Sequence, residues 1–454
     1  MGQANRTCGG WIVEAQGKTE EPTHRGEPGK RSLLKGGVLS AFGERDYAFL
    51  WSGALISNIG TWVQTAALLW LIHEVFKSNT WVGAVNMANF APVLLLEPLA
   101  GSLADRYNRR WLIVVGQTVM MLGALALAIT ATFNPNNKAA IMITVTIIGI
   151  AFALNFPAWQ AILPDMVPRE DMLNAIALSA AQWNLARFIG PLLGALILFY
   201  FSAATAFYAN AASFLFVIAA IFAIQSKRGV MPPTTEKIGR QVVEGWKYVW
   251  RRRWMVNLLI ALAFISLFGF SYIVLIPALT TNVLHRGQGA YGILLGMTGL
   301  GAVIGAPLVT YLSRIFKERN IIKTSTLSLG VFLIALGLSN VYWLSCLISI
   351  GLGGGYLVTA AAANSVLQGA SSREMRGRVV SLYIMVFIGV SAVGGQLIGY
   401  ISDVRSTPFS LILSGFACIA TGLVLITFPR LIRGAVIIHK EESFEPGLTA
   451  PPPE

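Results

Sequence analysis

Residues 101–110 read GSLADRYNRR, with one acid and three arginines in ten positions. The stretch before it, 81–100, reads WVGAVNMANFAPVLLLEPLA and holds a single charge, Glu97. The stretch after it, 111–130, reads WLIVVGQTVMMLGALALAIT and holds none. About twenty apolar residues in a helix cross a ~30 Å hydrocarbon core. A compact charge cluster between two such stretches therefore reads as a tight turn between two membrane-crossing helices.

The same pattern runs through most of the chain. Of 454 residues, 55% are hydrophobic and only 12% charged, with a mean hydropathy of +0.64, whereas a water-soluble domain carries about 25% charge. Continuous apolar runs rather than short alternating ones exclude a β-barrel. Twelve spans are expected, at about 49–72, 80–103, 111–132, 139–163, 174–200, 204–225, 254–280, 290–313, 321–340, 342–368, 378–401 and 408–429. The expected fold is an all-α polytopic membrane protein with two pseudo-symmetric six-helix bundles.

Lys77, Lys138, Arg286 and Arg405 fall in alternate loops, Arg187 falls inside a span, and every other Lys and Arg lies on the side of the N-terminus. Positive residues collect on the cytoplasmic side, so both termini are expected there. The net charge of +13 then faces anionic lipid headgroups, and nucleic-acid binding is not expected. The organisation follows: a disordered cytoplasmic tail at 1–45, a six-helix bundle at 46–225, a cytoplasmic linker at 226–253, a second bundle at 254–430, and a tail at 431–454. The early residues show no cleavable signal peptide. In the linker, Ile238, Val242, Trp246 and Val249 share one side of a helix opposite Lys237, Arg240, Glu244, Lys247 and Arg251. That is an interfacial amphipathic helix.

The two halves repeat weakly. An offset of 204 pairs Arg169 with Arg373, Glu170 with Glu374, Leu178 with Leu382 and Gly190 with Gly394; an offset near 209 pairs Pro98–Leu99 with Pro307–Leu308. Such internal symmetry is expected of transporters that bind substrate near the midplane between repeats.

Within the opening stretch, Gly101 lets helices approach closely. Asp105 can accept hydrogen bonds at a helix N-terminus, and Arg106, Arg109 and Arg110 can pair with acids or headgroups. The cluster could latch the halves in one conformation, with Asp105 docking near Arg373, Arg376 or Arg378, or it could be a plain basic loop. The run resembles the signature loop of the major facilitator superfamily, carried by Gly101, Leu103, Asp105, Arg106, Arg109 and Arg110. Asn108 stands where that family usually has glycine; asparagine tolerates a left-handed turn better than other non-glycine residues. ARFIGPLLGALI, 186–197, resembles the antiporter motif of proton-coupled exporters at Gly190, Pro191 and Gly194. A proline there bends the helix. More narrowly, FGERDYAFLWSGALISNIGTWVQ (42–64), the 101–110 loop, LARFIGP (185–191) and RGRVVSLYIMVF (376–387) follow the order of the transmembrane secretion effector family, and the resemblance covers about 40–430.

Ionisable groups inside membranes are costly and so mark function. Glu97 and Arg187 are the two such candidates, for proton coupling or substrate binding. The bland alternative is a constant salt bridge or two unrelated polar contacts. Further cavity candidates are Asn58, Gln64, Asn86, Asn89, Asn155, Trp159, Gln160, Tyr383 and Gln396. Gly292, Gly296, Gly299, Gly301 and Gly305 favour close packing of the eighth span. No enzyme is expected: HEVFK at 73–77 lacks the second zinc histidine, there is no Walker A sequence, and GLGGGY at 351–356 lacks the third glycine of a dinucleotide turn. Cys8, Cys346 and Cys418 form no metal or disulfide pattern, and no cofactor or metal is expected.

The resemblance implies a secondary active transporter in a bacterial plasma (inner) membrane, monomeric and surrounded by lipid. It would export a small amphipathic molecule, of the drug or siderophore class, by proton antiport and alternating access. Two alternatives stay open: a lipid or lysophospholipid translocator or importer of the same fold, and a non-transporting membrane sensor or assembly protein.

Overall fold

The computed structural model describes residues 37, 39–104, 106–224, 238–372, 374–428 and 431. The expected tails, the first part of the linker, Asp105 and Arg373 lie outside the described residues. Thirteen helices carry the described chain: α1 (Arg45–Phe76), α2 (Asn79–Ala104), α3 (Arg109–Phe133), α4 (Lys138–Met166), α5 (Met172–Tyr200), α6 (Ala203–Ala223), α7 (Ile238–Trp250), α8 (Arg253–Val283), α9 (Gln288–Ile315), α10 (Glu318–Leu338), α11 (Tyr342–Gly369), α12 (Arg376–Val404) and α13 (Thr407–Thr427).

Eleven helices among the described residues are long and apolar enough to cross a membrane. Neither α7 nor α2 is among them. The expected count of twelve is thus not reached on those criteria, although α2 is 26 residues long, or ~39 Å at 1.5 Å per residue. Only helices satisfy their own backbone groups within one segment in hydrocarbon. Their ends are set by polar caps. Asn137, Ser202 and Ser406 accept hydrogen bonds from the first turns of α4, α6 and α13. Leu122, Ile143, Phe199, Phe216 and Leu347 stand exposed on the bundle surface, where hydrocarbon rather than water suits them. The interior is built on small residues such as Ala66, Ala124, Ala153 and Ala302, none of which is exposed. Helices in lipid gain by such close backbone approach.

In the first half, α1 packs on α5 and α6, α3 on α4 and α6, and α2 on α4; in the second, α9 packs on α11, and α10 on α11 and α13. Two contacts join the halves along their length, α2 with α12 and α5 with α9. The two sequence offsets reappear in this packing. Gly149 of α4 lies on the carbonyl of Asn89 in α2, and Gly353 of α11 lies on the carbonyl of Thr298 in α9. Gly149 and Gly353 differ by the first offset, Asn89 and Thr298 by the second. The seams between halves obey the same relation. A Cβ on Gly83 would come 2.6 Å from the carbonyl oxygen of Gly395, and one on Gly292 would come 2.7 Å from that of Pro191.

α8 and α12 are not regular. α8 passes through π-helical turns at Ile265–Phe270 and Leu279–Val283, and α12 through one at Met385–Gly389. Such insertions gather at functional sites. By contrast α5 runs on as one helix through Pro191.

Candidate functional site

The 101–110 loop ends on a cap. Asn108 has φ −60° and its side chain accepts a hydrogen bond from the backbone N–H of Arg110, opening α3. The expectation that asparagine replaces glycine in a left-handed turn is therefore corrected. Asparagine is here because it is among the best residues at a helix N-cap. Arg109 donates to the carbonyl of Ala161 at 2.9 Å and pairs with Asp165 of α4 at 3.2 Å. Arg110 donates to the carbonyl of Ile224. Both tie the loop to its own half. Arg106 is partly buried, and a Cβ on Gly101 would meet the Ser381 hydroxyl of α12 at 3.3 Å. Of the expected docking partners of Asp105, Arg378 pairs with Glu244 of α7 at 2.6 Å, and Arg376 is exposed.

That pair helps seat α7 on the second half. Tyr248 accepts a hydrogen bond from the backbone N–H of Ser372, and the Arg252 guanidinium lies over the Tyr248 ring. Val249 faces inward, as its place on the apolar side required. Trp246 and Trp250 are exposed.

At the far end of the bundle, hydrogen bonds join the two halves. The Asp403 carboxylate of α12 accepts from the Ser78 hydroxyl (2.6 Å), the backbone N–H groups of Asn79 (2.8 Å) and Thr80 (2.9 Å), and the Thr80 hydroxyl (2.7 Å). It caps the N-terminus of α2 from another helix, where an anion also meets the positive end of the helix dipole. His73 and Thr281 lie 2.9 Å apart, Gln288 donates to the carbonyl of Leu198, and Tyr291 donates to that of Ala66. Apart from His73, noted only as the start of HEVFK, none of these residues was singled out in the sequence. Asp403 sits in a loop-proximal "ISDV" with no distinguishing pattern.

Arg187 lies at mid-length of α5 and is 5% exposed. Its guanidinium faces the rings of Trp62 (5.6 Å), Phe270 (5.3 Å) and Tyr356 (5.7 Å). Trp62 comes from the first half; Phe270 and Tyr356 come from the second. Phe270, Tyr356, Phe387 and Tyr383 continue as a stack with centroids 4.2, 4.9 and 5.3 Å apart. The π-helical turns carry Phe270 and Phe387 into it. Nε and Nη2 of Arg187 have no hydrogen-bond partner, and neither do the Tyr272 hydroxyl and Trp62 Nε1. The Tyr272 hydroxyl faces Arg187 and Thr298 without good hydrogen-bond geometry to either. A buried donor left unpaired costs about 1–3 kcal/mol, more when charged.

Glu97 is 1% exposed, and its Oε2 also lacks a hydrogen-bond partner. No ion pair joins it to Arg187, so the constant salt bridge is absent. Gly190 and Gly194 pack against Trp62 and Ala66 of α1. Gly292, Gly296 and Gly299 face α5, while Gly301 and Gly305 face α11. Gly299 rests on the carbonyl of Arg187 itself, where a Cβ would overlap it.

The other candidates divide. Asn58, Asn155 and Trp159 line a cavity of about 80 Å³ inside the first half, together with Gln117 and Trp183. Gln64, Asn86 and Asn89 line a smaller one, and Gln64 accepts a hydrogen bond from Asn210. Tyr383 donates to the carbonyl of Ala360 and belongs to the ring stack. Gln396 keeps its Oε1 unpaired. Gln160 is exposed. Cys346 and Cys418 are buried and free, and no metal-binding cluster occurs among the described residues.

A family model described as transmembrane secretion effector matches residues 37–446. The staphyloferrin A transporter of Staphylococcus aureus is 25% identical over 390 residues, covering 85% of this chain and 96% of that protein. The multidrug efflux pump Tap of Mycolicibacterium fortuitum is 22% identical, covering 83% and 94%. The enterobactin exporter EntS of Citrobacter koseri is 24% identical, covering 78% and 84%. Among solved structures, a peptide transporter POT superposes with a TM-score of 0.72 at 14% identity, covering 86% of this chain and 96% of that one. A bacterial homologue of the lysosomal transporter Spinster, inward-facing and unoccupied, gives 0.65 at 14% identity, covering 89% and 98%. At these identities the solved structures speak for the fold alone, that of a membrane transporter.

Proposed function

From the premise that this chain belongs to the transmembrane secretion effector family, a family of transporters and not of enzymes, we propose that it exports a small amphipathic molecule by alternating access, in exchange for protons. The observation that carries this reading is the hydrogen-bonded closure between halves at the end remote from the 101–110 loop, built on Asp403 and the first turn of α2. A transporter of two rocking halves holds one end shut by contacts it can break. The partition of Lys and Arg assigns that closed end to the outside and both termini to the cytoplasm, in a bacterial inner membrane. The protein acts as a monomer within lipid.

Export, rather than import, is supported by the efflux pump and the exporter among the relatives. Glu97 is the proton carrier in this reading. A carboxyl buried without a partner holds its proton while closed off and releases it when water reaches it. Asp105 and Arg106 form the inner latch, made and broken once per cycle.

The test is flux. Purified protein in liposomes should move a drug-class fluorophore such as ethidium in a saturable way, and a protonophore should abolish accumulation. Flux that ignores the protonophore would remove the proton from the scheme. No saturable flux for any amphiphile tried would favour a sensor.

A further inference from the structure

We propose that Arg187 and the rings around it receive the carboxylate of a flat amphipathic acid; this deepens the transport reading and rests on it for the word substrate. The cluster holds buried donors and, in the Tyr272 hydroxyl, one neutral group that can donate or accept. Arg187 offers Nε and Nη2, Tyr272 its hydroxyl and Trp62 its indole N–H, all buried and all without an acceptor. Among the described residues no carboxylate pairs with Arg187. The Tyr272 hydroxyl is a neutral acceptor at most, and a ligand carboxylate would supply the charged one that the Nε–Nη2 edge lacks.

The geometry narrows its chemistry. Nε–H and one N–H of Nη2 point the same way along one edge of the guanidinium. That edge meets the two oxygens of a planar carboxylate with two parallel hydrogen bonds. One fixed positive charge balances one negative charge, and a dianion would leave the second uncompensated in a low-dielectric site. A monocarboxylate fits better than a phosphate monoester.

The rest of the ligand is read from the walls. Phe270, Tyr356, Phe387 and Tyr383 present one continuous stack, with interplanar angles of 15°, 17° and 13°. Flat unsaturated surface packs on such rings in the offset manner of aromatic pairs. In the closed state the rings of the second half lie on the guanidinium, so the site is occluded. Phe270 and Tyr356 move with the second half, while Trp62 and Arg187 move with the first. Separation of the halves uncovers the guanidinium edge, and an anion that binds there replaces the ring contacts. Binding and the movement of the halves are thus coupled at one residue.

The experiment is binding, independent of flux. Full-length protein in lipid nanodiscs is dialysed against 2-naphthoate, its neutral twin 2-naphthamide, and 2-naphthyl phosphate. The acid should bind about tenfold or more tighter than the amide, and tighter than the phosphate. Arg187→Gln should reduce the acid to the level of the amide; Arg187→Lys, which keeps the charge but not the edge, should retain part of the preference. Tyr356→Leu should weaken the acid and the amide alike. Equal binding of acid and amide by the wild type overturns the proposal, and that comparison needs no variant to fold. A preference that survives in Arg187→Gln overturns it as well, by assigning the acid to another basic group. Acid-selective binding without flux in liposomes would instead sink the transport reading and leave the site standing.

Discussion

Glu97 is a carboxyl set 1% exposed in α2 with no cation bonded to it. Its replacement by Gln keeps size and most hydrogen bonding but removes titration. We expect Glu97→Gln to fold and insert as well as the wild type, because no ion pair is broken. We also expect export to lose its dependence on an imposed pH gradient. Flux measured in liposomes against stepped gradients decides it, and an undiminished response would transfer the proton to another group. Arg187 differs in kind. Its burial is compensated by ring faces from both halves, an interaction that strengthens when water is absent.

At the level of single helices, the seams between halves depend on backbone approach rather than on side chains. α2 lies against α12 at Gly83 and Gly395, and α9 lies against α5 at Gly292 and Pro191. These are the same contact seen twice, related by the internal repeat. Gly83→Val and Gly292→Val should therefore act alike. Each wedges its seam, and each should expose cysteines placed at the closed end, such as Thr281→Cys, to membrane-impermeant maleimide several-fold faster, while overall insertion is retained. An effect from one and none from the other would break the equivalence of the two seams. The π-helical turns of α8 and α12 serve a different purpose. They turn Phe270 and Phe387 out of regular register into the stack beside Arg187.

Across the whole molecule, one carboxylate holds two helices that are more than three hundred residues apart in sequence. Asp403 accepts four hydrogen bonds from Ser78, Asn79 and Thr80. Asp403→Asn replaces one acceptor oxygen with a donor facing other donors. It should shift the balance between closed and open states by ~1–3 kcal/mol, the usual size of a conformational coupling. Maleimide labelling of a cysteine replacing Arg286, added from outside, should quicken with it, whereas one replacing Glu236 should remain reachable only from the cytoplasmic face. Unchanged labelling at the closed end would mean that Asp403 caps α2 without holding the halves. External labelling at 236 would invert the orientation.

Much of this architecture was legible before any coordinates. Apolar run length dictates helices, because only a helix satisfies its backbone within one segment in lipid. The basic residues, ordered loop by loop, carry the expected orientation. The offsets of 204 and 209 carried the repeat, and the packing of Gly149 and Gly353 obeys both. Glu97 and Arg187 could be found because a charge in an apolar run has no local reason to be there. What surrounds them could not be found that way. The four-ring stack draws on α8, α11 and α12; Tyr383 was marked in sequence as a cavity candidate, but nothing there set Phe270, Tyr356 or Phe387 apart. Asp403 carried no mark in sequence, since nothing near it in the chain hints at Ser78. Asn108 was noticed as a substitution for glycine, but its conformation depended on where α3 begins. Periodicity and charge are local properties, written into each segment. Which face meets which partner is decided only when helices from both halves pack, and there the energy resides in contacts between residues that the chain keeps far apart.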